Sequence, residues 1–126
     1  MKFPYDTDYF PPAPAVAIFL GKADESFKIG PLPALVDSGA DSTIIPARYL
    51  NEFQVEVADR KIIRSHWGEG RIVSIYLLDV GIAGVRLPSI EIVSDEFSVD
   101  VLIGRNILNK LRVLLDGPKQ IIEISE

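Results

Sequence analysis

The chain has 126 residues and a net charge of −5, with 48% of residues hydrophobic and 25% charged; that composition supports one domain around one core and excludes a disordered chain. It holds no cysteine and one histidine, His66, so disulfides, thiolate nucleophiles and zinc–thiolate sites are excluded, and a multi-histidine metal site or Ser-His-Asp triad would rest on a single residue. With an acidic balance and no Lys/Arg cluster, neither nucleic acid nor a membrane surface is an expected partner. What remains is carboxylate chemistry, with no metal and no other cofactor.

Residues 1–14 read as a loosely held N-terminal arm, made extended by Pro11-Pro12-Ala13-Pro14. Residues 15–126 read as the folded domain. The arm lacks a signal-peptide apolar core, and the run Ala15 to Leu20 is too short to span a bilayer, so a cytoplasmic location is expected. Ala15 to Leu20 is strand-like. Gly21 to Ser26 is a polar turn, and Phe27 to Ile29 pairs back until Gly30-Pro31 breaks it.

The next stretch organises the chain. An apolar run, Ala34-Leu35-Val36, ends in Asp37, small residues follow as Ser38-Gly39-Ala40, and Asp41-Ser42-Thr43 leads to Ile44-Ile45. Short apolar runs bounded by turn residues are buried strands. A carboxylate where such a strand opens into a tight turn is placed for acid–base work. Asp-Ser-Gly alone is common turn composition; its apolar flanks and a second element near the C-terminus set it apart.

After Pro46, the spacing of Tyr49, Leu50 and Phe53 predicts one helical turn, and Val55 and Val57 a short strand. Lys61 to Ser65 and Arg71 to Leu78 are strand-like around His66-Trp67-Gly68-Glu69-Gly70, which suits a hairpin with a mobile tip. Trp67 either covers a ligand or packs on its own hairpin. His66 and Glu69 are either solvated or give pH-sensitive opening.

Val80 to Val85 reads as a turn, Arg86 to Val93 as a strand held to an edge by Pro88, and Phe97 to Ile103 as a strand ending at Gly104. Arg105 to Leu111 is the best helix. Val113-Leu114-Leu115 and Gln120 to Ile124 flank Asp116-Gly117-Pro118-Lys119, a hairpin signature.

The second element is Val101-Leu102-Ile103-Gly104-Arg105-Asn106-Ile107-Leu108. Together with Leu35-Val36-Asp37-Ser38-Gly39-Ala40-Asp41 it resembles the retroviral-type aspartic proteases (retropepsins) and their cellular single-domain relatives. In that family an apolar-Asp-Thr/Ser-Gly turn is followed some sixty to seventy residues later by an apolar-apolar-Gly-Arg-Asp/Asn element. The likeness covers roughly residues 15–124, and the two motifs weigh far more together than apart.

The resemblance implies an all-β, mostly antiparallel fold: a closed acid-protease-type β-barrel with one short C-terminal helix and one lobe per chain. It implies an aspartic endopeptidase working on extended polypeptides. Two carboxyls about 3 Å apart share one proton, so a chain with one such turn needs a second copy, a homodimer about a two-fold axis. Asp37 would be the catalytic carboxylate. Ser38 would bond across the dimer, Gly39 would let substrate backbone approach, and Ala40 would leave space beside it. Asp41 would contact substrate and pair with Arg105, tying the active turn to the helix that Gly104 begins; otherwise the two form an ordinary surface pair.

The hairpin 62–75, with Trp67 and Gly68 at its tip, would close over substrate as a flap, the peptide adding as a strand. Ile44, Ile45, Leu102 and Ile103 read as core more than pocket. Gln120 to Ile124 either joins the interface sheet or closes its own subunit. Ser38 stands where the viral enzymes carry threonine, and the tip is bulkier and more polar than theirs. Two other functions stay open on the residues alone: a non-catalytic module of the same fold, dimerising or holding a peptide uncut, and a β-barrel unrelated to proteases.

Overall fold

The computed structural model describes residues 1–51, 53, 55–64 and 68–126, with Arg64 as backbone only. Among these residues ten strands build two sheets, with two single-turn helices between them. β2 (Ala15–Gly21) pairs antiparallel with β3 (Ile29–Val36), and its other edge pairs with β6 (Gly70–Ile82). From β3 the sheet continues through β8 (Val101–Ile103), β4 (Thr43–Pro46) and β7 (Val85–Asp95) back to β6. Six strands therefore close on themselves in an acid-protease-type barrel. β5 (Asp59–Arg64) lies outside the closure, paired to β6 alone. Inward-facing Ile18, Leu20, Ile45, Leu78, Val80, Ile92, Ile103 and Ile107 are buried at the centre.

Most pairings are antiparallel, but two are parallel: β3 with β8, and β4 with β7. They place the end that carries Asp37. β8 is inserted between β3 and β4, so residues 37–42, which join those two strands, must arch over the C-terminal end of β8.

The second sheet has the order β1 (Lys2–Pro4), β10 (Ile121–Ser125), β9 (Arg112–Asp116). The expected loose arm is thus tied down. Met1 and Ile124 exchange backbone bonds, Tyr5 N–H donates to the Gln120 carbonyl, and Phe3 and Tyr5 pack on the core. Gln120 to Ile124 closes its own subunit through Ile122 and Ile124, both buried.

Several local expectations change. β3 runs through Gly30-Pro31 and Pro33, because over 29–33 it has a neighbour on one side only and a missing donor is tolerated at an open edge. Val80–Val85 is mostly strand; the reversal is confined to Ala83 and Gly84, both at positive φ, a two-residue hairpin turn. The edge reading of Pro88 holds locally: β4 joins β7 only from Ile92 onward, so at Pro88 the strand has β6 alone beside it, and the missing N–H falls where the β6–β7 register slips into a bulge. Residues 55–58 and 97–100 are not strand, and Val57, Phe97 and Val99 are exposed. The helices shrink to single turns, α1 (Ala47–Leu50), which buries Leu50, and α2 (Arg105–Leu108), which buries Ile107 and Leu108.

Candidate active site

The arch over β8 is held by backbone bonds. Asp37 N–H donates to the Ile103 carbonyl at 3.0 Å, extending the β3–β8 ladder by one residue. Ala40 N–H turns back to the Asp37 carbonyl at 3.2 Å, and Arg105 N–H reaches the Ala40 carbonyl at 2.8 Å. Where the chain leaves β8 it passes directly beneath the arch. A Cβ on Gly104 would stand 2.2 Å from the Ser42 carbonyl oxygen and 2.5 Å from its carbon, so only glycine fits.

A buried hydroxyl locks this crossing. Thr43, fully buried, accepts from Gly104 N–H at 3.1 Å and donates to Asn106 Oδ1 at 2.7 Å. Asn106 Nδ2 then donates to the Glu91 carbonyl at 3.0 Å on β7. Turn, helix and barrel wall share one network in which each buried polar atom has a partner. Sequence reading missed Thr43 and Asn106. Asn106 lay inside the second motif and could have been found there; a threonine beside two isoleucines carries no such signal.

On this frame the Asp37 carboxylate is half-buried at the turn mouth. Its Oδ1 accepts the Gly39 N–H at 3.0 Å. No cation pairs with it among the described residues. Ser38 and Gly39 are exposed, and the only atom near a hypothetical Gly39 Cβ is Asp37 Oδ1. No described group bonds the Ser38 hydroxyl.

Asp41 is exposed, and the expected Asp41–Arg105 ion pair does not form. Arg105 Nη1 instead donates to the Ser38 carbonyl at 2.8 Å. The arginine still ties α2 to the active turn, but through backbone, because the carbonyl points toward the helix while the Asp41 side chain faces solvent.

Ile45 and Ile103 are core, whereas Ile44 and Leu102, directly paired, are only half-buried, as is Leu35 on the other side of Leu102. Strand alternation puts these three on one face, leaving an apolar strip beside the Asp37 turn. The β5–β6 hairpin adds Ile63, Val73 and Ile75, which cluster with Ile44 and Val93. Gly68 is exposed at the hairpin tip at φ +79°, with open space around it. Trp67, with His66, lies outside the described residues.

Asp37, Ser38, Gly39, Ala40, Asp41, Gly104 and Arg105 are therefore gathered at one end of the barrel. An apolar cavity of about 450 Å³, lined by Phe19, Phe27, Ile82 and Val85 among others, shares none of them. The described residues contain no cluster of three or more His, Asp or Glu able to hold a metal. Nor do they contain a helix long and apolar enough to cross a membrane.

The family model "gag-polyprotein putative aspartyl protease" matches residues 26–110, well over half the chain and both motif elements. The chain belongs to this family of retropepsin-like aspartic proteases. The match takes in β3, the Asp37 turn, the β5–β6 hairpin, Gly104 and α2, the segments that meet at the active end. No curated protein matches the chain.

Proposed function

We propose that the protein is a homodimeric aspartic endopeptidase, in which the Asp37 carboxylates of two copies hold one water and share one proton. The observation that carries this is the state of Asp37: anchored by its own turn, unpaired with any described cation, and open beside an apolar strip. A carboxylate with one turn N–H bonded and no described cation beside it keeps acceptor sites free for a water or a second carboxyl. The Ser38 hydroxyl beside it, bonded by no described group, is available to a second copy. β9, unpaired on its outer edge, carries Leu114 and Leu115 half-exposed, an apolar surface suited to cover by a partner.

In the reaction, water attacks the scissile carbonyl carbon. Its proton passes to the ionised carboxylate while the protonated one donates to the carbonyl oxygen, giving a tetrahedral diol. Proton return to the nitrogen then breaks the C–N bond. The extended substrate lies between the active turn and the β5–β6 hairpin as an added strand.

The test combines sedimentation with cleavage of denatured protein from about pH 4 to 7, spanning the carboxylate range, across protein concentration. Activity per protomer should rise with the dimer fraction and vanish in Asp37→Asn. Undiminished cleavage by that variant, or full activity in a monomer, would overturn the proposal. Peptide binding without new termini would favour a non-catalytic module instead.

A further inference from the structure

The β5–β6 hairpin opens with a basic segment in an acidic chain. Residues 59–71 carry Arg60, Lys61, Arg64 and Arg71 against Asp59 and Glu69, while the whole chain has a net charge of −5. The cations are spread along the sequence; strand pairing brings Lys61 and Arg71 onto one ribbon, beside Val73 and Ile63 respectively.

Cross-strand partners share a face, as do residues two apart. Lys61 therefore stands on the face of Ile63, Val73 and Ile75, the side that packs on Ile44 of β4. Its half-buried ammonium donates to Ser42 Oγ at 2.8 Å. Ser42 follows Asp41 and belongs to the arch that carries Asp37. A flap cation is thus fixed against the active turn.

Among the described residues no carboxylate pairs with it. Arg71, on the same face, has a buried carboxylate, Asp95, and lies over the Phe97 ring. Lys61 has, among the described residues, only the neutral hydroxyl. Asp41 next to Ser42 and Asp59 on the same face both lie beyond ion-pair reach of it. An ammonium has three donors, and one is used. A cation partly withdrawn from water, with donors unspent at the rim of an apolar cleft, is a ready partner for a carboxylate.

We propose that Lys61 selects an acidic side chain in the substrate, a few residues from the scissile bond, so that preferred peptides carry Asp or Glu next to an apolar stretch. This rests on the reading of the cleft as a peptide groove. Ser42 orients the ammonium, and the apolar strip of Leu35, Ile44 and Leu102 takes the neighbouring side chains.

Binding and cleavage test it separately. Cleavage sites are first mapped by mass spectrometry in a library of proteome-derived peptides, and the best sequence is made in matched Glu and Gln forms. If no library peptide is cut, matched forms of an acidic-apolar library peptide retained by Asp37→Asn are used. Binding of both forms is measured on Asp37→Asn, which cannot turn them over. The Glu peptide should bind about tenfold tighter at low ionic strength, a contrast that shrinks with salt. Lys61→Met should bring the ratio to about one, Lys61→Arg should keep most of it, and Lys61→Glu should reverse it toward a Lys peptide.

An equal affinity for the two forms, or a ratio unmoved in Lys61→Met, overturns the proposal. A binding contrast that follows Lys61 without cleavage by the unsubstituted protein sustains this proposal and sinks the endopeptidase reading. Cleavage sites with no excess of acidic neighbours leave the protease and remove the selectivity. Failure to retain any peptide overturns it as well.

Discussion

Two aspartates, one at each end of the barrel, show what separates an acid that supports the fold from one available for chemistry. Asp79 interrupts β6 opposite the Pro88–Ser89 bulge and is 3% exposed. One oxygen accepts the Ser89 N–H at 3.0 Å and the other the Arg86 Nε at 2.8 Å. Arg86 also donates to the Lys22 and Glu25 carbonyls and covers the Phe27 ring, so one guanidinium fastens the 22–28 loop to the hairpin base. Burial by itself would push the Asp79 carboxyl up, but the Ser89 N–H and Arg86 outweigh it and hold it below its ordinary 3.8. Asp37 also accepts one turn N–H, yet has no arginine and stands half in the open. Both acids sit at strand irregularities. Only one has its bonding capacity filled.

The largest effect expected from that contrast is on activity. Asp37→Asn should lower kcat/KM by about a thousandfold or more while changing unfolding free energy by less than about 0.5 kcal/mol, since the amide oxygen can still accept the Gly39 N–H. Peptide cleavage and urea melts on the same preparation check both halves. Gly104→Ala comes next. With the Ser42 backbone in the way, the arch must shift, and a loss of about 3 kcal/mol or more in stability is expected together with lost cleavage.

Asp79→Asn should do the reverse of Asp37→Asn: destabilise by about 2–3 kcal/mol, discounted for the partly solvated Arg86, and leave cleavage by the folded fraction intact. Because the folded Asp79 carboxyl lies below its unfolded value, its stabilisation is present above about pH 4 and is lost as pH falls through the folded value. The urea midpoints of the two proteins should therefore differ fully at pH 6 and converge as the pH falls through the folded Asp79 value.

The smallest effect concerns Tyr9. Its hydroxyl donates to Asp100 Oδ1 at 2.6 Å, and this bond, aided by burial and by the charges of Asp100, Asp6 and Asp8, pushes the phenol up to about 12. Here the folded value is raised, so the stabilisation holds below pH 10 and fades between 10 and 12. In an ultraviolet titration one of the four tyrosines should ionise late. Asp100→Asn should return it toward 10, at about 1 kcal/mol in stability.

Much of the fold was legible because it depends on local pattern. Ala15–Gly21, the Asp37 turn and the β9–β10 hairpin are written in apolar runs and turn residues. What escaped is non-local. Pro88 reads rightly as an edge signal, but the bulge beside it, which Asp79 fills from β6, carries no signal of its own. Phe97 and Val99 look like strand residues but have no neighbouring strand to pair with. At the site, Asp37, Gly104 and Arg105 carried motif signals, but the acceptor for Arg105 was misjudged because a backbone carbonyl is invisible to a search for charge pairs. Lys61 had no signal, since its importance arises from where β5 is laid.

That placement of β5 has a mechanical consequence. β6 pairs with β7 only from Ser74 onward, so the paired residues 59–64 and 70–73 form a cantilever beyond the barrel rim. Bending it at its root breaks none of the ladders that close the cylinder; it parts the packing of Ile63, Val73 and Ile75 on Ile44 and Val93 and, among the described residues, releases the side-chain ties Lys61–Ser42 and Arg71–Asp95. The lever and its clasp are thus separate parts, and how readily the mouth opens can be retuned at two cations of the hairpin without loosening the vessel beneath.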